Sequence, residues 1–139
     1  MDKRQGKMYT GGINKNKFMK NIVVIEDEPI LLKGMSIELL SAGFNVLSAS
    51  NGKAGLELVK KEKPDLVLLD LLMPQMGGFE VLAELKKDAS AKHIPVIILS
   101  NLNQAEDKEK AKKLGAVDYY VKSSTDLSDL TKKVAGLLK

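Results

Sequence analysis

The chain has 139 residues, 44% of them apolar and 29% charged, with a formal charge of +4 and no cysteine. That length and composition point to one soluble globular domain with no room for a second. Disulfide and thiolate chemistry are excluded, a lone histidine (His93) cannot form a histidine-cluster metal site, and no apolar run approaches a membrane span.

The charge is unevenly spread. Residues 1–20 carry Lys3, Arg4, Lys7, Lys15, Lys17 and Lys20 against Asp2 alone, which leaves the remainder close to neutral. Residues 1–18 are polar, contain Gly6, Gly11 and Gly12, and show no apolar period, so a disordered basic tail is expected up to about residue 19. Met8 and Met19 are both candidate starts, which makes the tail an expression leftover or the product of a misplaced start. A nucleic-acid or membrane arm is the sharper reading and is not favoured. Neither direct DNA binding nor membrane association is expected, and the absence of cysteine fits a cytoplasmic protein.

Regular patterning begins at Asn21. Ile22 to Ile25 is an unbroken apolar run of the kind that forms a strand covered on both faces, and it ends on Glu26-Asp27-Glu28. Pro29 opens a helix that runs through Leu40 and stops by Gly43. Asn45 to Ala49 reads as a second strand and Lys53 to Lys61 as a short helix. After Pro64, Leu66 to Leu69 forms a third buried strand, ending on Asp70 and a loop with Pro74 and Gly77-Gly78.

Phe79 to Lys87 has helical spacing. Pro95 to Leu99 is a fourth strand ending on Ser100, and the highly charged stretch from Gln104 to Leu114 is a thinly apolar, loosely anchored helix. Tyr119 to Val121 is a fifth strand ending on Lys122, followed by an amphipathic helix through Leu127, Leu130, Val134 and Leu138. Strands alternating with helices predict an α/β fold, a five-stranded parallel sheet with five helices on both faces. The strand order expected for five such units is the flavodoxin-like 2-1-3-4-5.

In a parallel sheet the strand ends share one edge. Glu26, Asp27, Asp70, Ser100 and Lys122 therefore converge, with no sulfur or imidazole among them. Two carboxylates about 4 Å apart repel by ~4 kcal/mol at an effective dielectric near 20, so three of them call for a cation. Hard oxygen donors suit Mg²⁺ or Mn²⁺. Each residue has a bland role of its own, as helix-end acid, cap or snorkelling lysine. All five at successive strand ends point to a functional site.

From Lys20 to Leu138 the sequence resembles the receiver domain of bacterial two-component response regulators, and no output domain is expected after it. The resemblance is carried by Ile22-Val-Val-Ile-Glu-Asp-Glu-Pro29, by Pro64-Asp-Leu-Val-Leu-Leu-Asp-Leu-Leu-Met-Pro-Gln-Met-Gly-Gly78, by Ile94-Pro-Val-Ile-Ile-Leu-Ser100, and by Gly115-Ala-Val-Asp-Tyr-Tyr-Val-Lys122. It implies that Asp70 accepts a phosphoryl group from a sensor histidine kinase or His-phosphotransfer protein. It further implies a Mg²⁺ or Mn²⁺ ion held by Asp27, Asp70, Glu26 and the Leu72 carbonyl, with Lys122 and Ser100 contacting the phosphoryl. Tyr119 would turn inward with Ser100 as the switch, and a downstream protein would read the face formed by residues 104–138. Such a domain promotes its own phosphorylation and dephosphorylation without being an enzyme acting on other substrates.

Three positions depart from the family pattern. Ser123 stands where proline usually follows the lysine, so the preceding peptide is either trans or strained. Gly77 replaces the usual Asp or Asn, loosening that turn or its cap. Asn101 stands where a small residue is usual and is expected to narrow access for the phosphodonor. Apolar Leu72 offers nothing to orient a hydrolytic water, which implies slow self-dephosphorylation. The alternative reading is a phosphorylation-independent interaction module on the same fold. A phosphohydrolase with its nucleophile in a DxD motif on the first strand is disfavoured, because Ile25-Glu26-Asp27 does not match.

Overall fold

The apolar runs become strands and the amphipathic stretches become helices, close to the expected boundaries. A computed structural model describes residues 7–9 and 19–138. In chain order the elements are β1 (Lys7–Tyr9), β2 (Asn21–Ile25), α1 (Pro29–Ser41), β3 (Asn45–Ala49), α2 (Gly52–Glu62), β4 (Leu66–Leu69), α3 (Gly78–Lys87), β5 (Val96–Ser100), α4 (Ala105–Lys113), β6 (Asp118–Val121), a 3-10 turn (Lys122–Ser124) and α5 (Leu127–Leu137).

The sheet order is β1-β3-β2-β4-β5-β6, and every pair from β3 onward is parallel. Counted from β2, the five parallel strands follow 2-1-3-4-5, the flavodoxin-like order. A further strand, β1, lies within the stretch expected to be a disordered tail. Lys7–Tyr9 pairs antiparallel with β3, Met8 opposite Leu47. An edge strand exposes a row of unpaired backbone N–H and C=O groups, which any extended segment can satisfy. The rest of residues 1–18 lies outside the described residues.

Two apolar layers sandwich the sheet. On one face α2, α3 and α4 cover Val23, Ile25, Val67, Leu69, Val96 and Ile98. On the other, α1 and α5 cover Ile22, Val24, Leu66, Leu68, Ile97 and Leu99. The alternation follows from strand geometry, in which successive side chains point to opposite faces. β2, β4 and β5 pack into both layers, which is why their sequences read as continuous apolar runs. β6 closes the sheet and is half-buried along its whole length.

Among the described residues no helix is long and apolar enough to cross a membrane. α4 is the most thinly packed of the α-helices, since only Ala111 of its nine residues is buried and Ala105 faces solvent. Glu109 and Lys113 pair across one turn at 3.3 Å, and the Lys110 ammonium lies over the Phe79 ring, 4.3 Å from its centroid.

Candidate functional site

The strand ladders run on into the site. The Glu26 N–H donates to the Ala49 carbonyl and the Asp70 N–H to the Ile25 carbonyl, each at 3.0 Å. Both acids are thus held by backbone pairing one residue beyond their strands. Both are also almost fully buried, at 1% and 2% exposure. Asp27 is half-buried between them, and one carboxylate oxygen from each of Glu26, Asp27 and Asp70 lies within 4.8 Å of the others. This all-oxygen set fits a hard divalent cation.

Behind Asp70 the loop doubles back so tightly that only glycine fits at position 78. A Cβ there would overlap the Asp70 carbonyl oxygen and meet the Leu71 Cα at 2.6 Å. The Gly78 N–H closes the loop on the Leu71 carbonyl at 3.1 Å. One Asp70 oxygen, Oδ1, accepts the Leu72 N–H at 3.2 Å. The Leu72 side chain itself is 51% exposed at the mouth of the site.

Lys122 completes the cluster from the far edge of the sheet. Its ammonium donates to Glu26 at 2.8 Å, to Asp70 Oδ2 at 3.0 Å and to Glu28 at 3.1 Å. Burial alone would push this ammonium's pKa down, but the hydrogen bonds it donates to Glu26, Asp70 and Glu28 outweigh it and hold the pKa above the ordinary lysine range. Burial raises the Glu26 carboxyl above its usual range, and its hydrogen bond from Lys122 only partly opposes that. Glu28 was legible in sequence only as a helix-end acid. Its part here depends on the third acid of the run folding back toward a lysine 94 residues away.

Ser100 and Tyr119 stand outside this ion-pair cluster. Ser100 is fully buried at the end of β5, and its Oγ accepts the Leu102 N–H at 3.4 Å. Tyr119 packs against the α2-α3-α4 layer with Leu102, and its hydroxyl donates to the Leu102 carbonyl at 2.5 Å. Burial, with Asp107 and Asp70 adding repulsion, pushes its phenol pKa up to about 12. Tyr120, of opposite parity, packs against the other layer.

The departures resolve locally. No peptide among the described residues is cis, so Lys122–Ser123 is trans. Gly77 is the N-cap of α3 and makes no side-chain cap bond. Asn101 turns its side chain toward the neighbouring loop, where Oδ1 accepts the Ser123 N–H at 3.1 Å.

The family model "Response regulator receiver domain" matches residues 22–135. This chain is a response regulator receiver domain. Receiver domains are the signal-transduction modules of two-component systems. Protein PilH of Pseudomonas aeruginosa is 38% identical over 120 residues, covering 86% of this chain and 98% of PilH. The transcriptional regulator RpaA of Synechocystis is 36% identical over 121 residues, covering 87% of this chain but only 50% of RpaA. Chemotaxis protein CheY4 of Vibrio cholerae superposes with a TM-score of 0.80 at 27% identity, covering 86% of this receiver domain and 99% of CheY4. The Mn²⁺-bound form of response regulator Rcp1 gives 0.71 at 30% identity, covering 85% and 91%.

Proposed function

We propose that Asp70 is a phosphoacceptor and that the chain works as a switchable binding partner rather than as an enzyme on other substrates. The observation that carries this is a buried carboxylate at a strand end with a lysine ammonium at 3.0 Å and two further acids beside it. An Asp70 oxygen attacks phosphorus and forms a P–O bond. The P–N bond to the donor histidine breaks, and the freed imidazole takes up a proton. Phosphoryl transfer of this kind needs positioning and charge neutralisation more than covalent assistance.

Lys122 supplies part of that neutralisation from this chain. A Mg²⁺ or Mn²⁺ ion held by Glu26, Asp27, Asp70 and the Leu72 carbonyl would neutralise the spreading phosphoryl charge when bound. The acyl phosphate adds charge and strong acceptors at the sheet edge. Ser100 is the donor that answers it, and Tyr119 and α4 are the elements that reorganise. The downstream protein reads the surface formed by residues 104–138. The donor is a sensor histidine kinase or His-phosphotransfer protein, and the exchange takes place in the cytoplasm.

The test is intact mass after incubation with Mg²⁺ and acetyl phosphate, whose P–O bond to acetate breaks in place of the P–N bond. One added phosphoryl group is expected, absent without Mg²⁺ and absent in Asp70→Asn. It should persist, because Leu72 presents no polar group to a hydrolytic water. No label on the wild-type chain would favour the phosphorylation-independent interaction module instead.

A further inference from the structure

Two loops carry the groups that would face a transferred phosphoryl. Ser100 ends β5 and Asn101 follows it; Lys122 and Ser123 follow β6. These strands are neighbours, and their ladder ends with Ser100 opposite Val121. Beyond that point the link continues through a side chain, the Asn101 Oδ1 that accepts the Ser123 N–H at 3.1 Å. A backbone N–H can only donate, so the atom facing it is the amide oxygen.

The location of that bond matters. The Ser123 N–H belongs to the peptide that follows Lys122, while the Val121 carbonyl belongs to the peptide that precedes it. That carbonyl accepts the Thr125 hydroxyl at 2.6 Å. Both peptide planes flanking the Lys122 Cα are therefore held by hydrogen bonds, the second also through the Lys122 carbonyl, which accepts the Thr125 N–H at 3.4 Å, and this fixes the direction in which its side chain leaves the backbone. Ser123 sits in a 3-10 turn, where an early N–H has no partner within the turn. Proline could not replace it on the same terms. It has no N–H to donate, and it disfavours helical backbone at the residue before it, where Lys122 begins the turn.

We infer that Asn101 is a positioning residue, which aims the Lys122 ammonium at Asp70 by holding the Lys122–Ser123 peptide plane. This rests on the phosphoacceptor reading above and extends it to the two departures, Asn101 and Ser123, which act as one bridge. It replaces the expectation that Asn101 merely narrows the entrance.

The test measures the rate of acetyl phosphate labelling against donor concentration at saturating Mg²⁺, together with hydrogen exchange at the Ser123 amide. In Asn101→Ala the maximal rate should fall about fivefold, the rate equivalent of one net hydrogen bond. Half-saturating donor should not change, and the Ser123 amide should exchange faster. On a Ser123→Pro background, which has no N–H to lose, Asn101→Ala should cost nothing further. A lower half-saturating donor concentration would make Asn101 a gate and overturn the inference. An unchanged maximal rate, or an equal loss on both backgrounds, would also overturn it. If the wild-type chain takes no label, the phosphoacceptor reading fails. Ser123 exchange, read without any donor, still decides the bridge, upholding it if Asn101→Ala accelerates exchange and removing it if not.

Discussion

α2 and α4 pack on the same face of the sheet, and they are held very differently. α2 buries six of its eleven residues, Gly52, Ala54, Gly55, Leu56, Leu58 and Val59, and docks so closely that a Cβ on Gly55 would strike Ile25 at 2.6 Å. α4 buries Ala111 alone. The strands show the same contrast, since β4 is fully buried and β6 only half-buried. Asp70 therefore rests on the most rigid part of the molecule, while Tyr119 and α4 belong to the part with least to lose by moving. Local opening free energies follow buried apolar contact, so a switch is drawn from the thinly packed side. The site spans the boundary, with its acids on the firm half and its lysine on the loose one.

The largest expected effect tests that boundary directly. Leu69, fully buried one residue before Asp70, should cost about 2–5 kcal/mol on truncation to alanine, as transfer and cavity losses add. Leu114, half-buried at the end of α4, should cost about 1 kcal/mol or less by the same change. Urea unfolding of the two variants measures both. Equal costs would mean that α4 is as firmly anchored as the centre of the sheet, and the contrast would fall.

Legibility divides along the same line. The buried strands and the acids they deliver were readable because an unbroken apolar run ending in a carboxylate leaves few alternatives. Lys122 and Ser100 were readable for the same reason. The half-burial of β6 was not, since Tyr119-Tyr120-Val121 has the composition of a central strand and only its place in the sheet makes it an edge. Glu28 was missed because three consecutive acids before Pro29 have equal claims on the helix end. The Asn101–Ser123 bridge joins residues 22 apart through loops whose proximity depends on β5 lying beside β6. The pairing of Lys7–Tyr9 has no apolar period to announce it.

Next in size is the glycine behind Asp70. A methyl group on Gly78 would overlap the backbone of Asp70 and Leu71, which cannot rotate aside as a side chain could. Gly78→Ala should therefore cost about 1–3 kcal/mol. It should also slow acetyl phosphate labelling if Asp70 is the acceptor proposed above, because the strain falls on the Asp70 main-chain carbonyl. A variant that loses stability yet labels at the wild-type rate would show that the firm half does not transmit backbone shifts to Asp70.

The adjacent glycine should respond in the opposite direction. Gly77 has extended backbone, φ −77° and ψ 168°, which any residue adopts, and a Cβ there would meet the Leu71 carbonyl oxygen at an ordinary 3.4 Å. It is the N-cap of α3 and offers no side chain to the unpaired N–H groups of the first turn. Gly77→Asp should add a few tenths of a kcal/mol as a cap, and about 0.4–1 kcal/mol more by restricting the unfolded chain. Gly77→Ala gains the second effect but loses at the cap, where alanine is much poorer than glycine, so Asp should stand above both in thermal stability. The added carboxylate also favours the positive end of α3. It stands in the loop that leads from Asp70, however, so repulsion from the acid cluster offsets part of the gain at low salt, and Mg²⁺ should restore it. If Gly77→Asp proves less stable than Gly77→Ala at every salt concentration, the field of the acid cluster reaches across the loop. The firm half would then be held at the stability cost of its own charge, with the loss of a cap at position 77 as one of the accommodations.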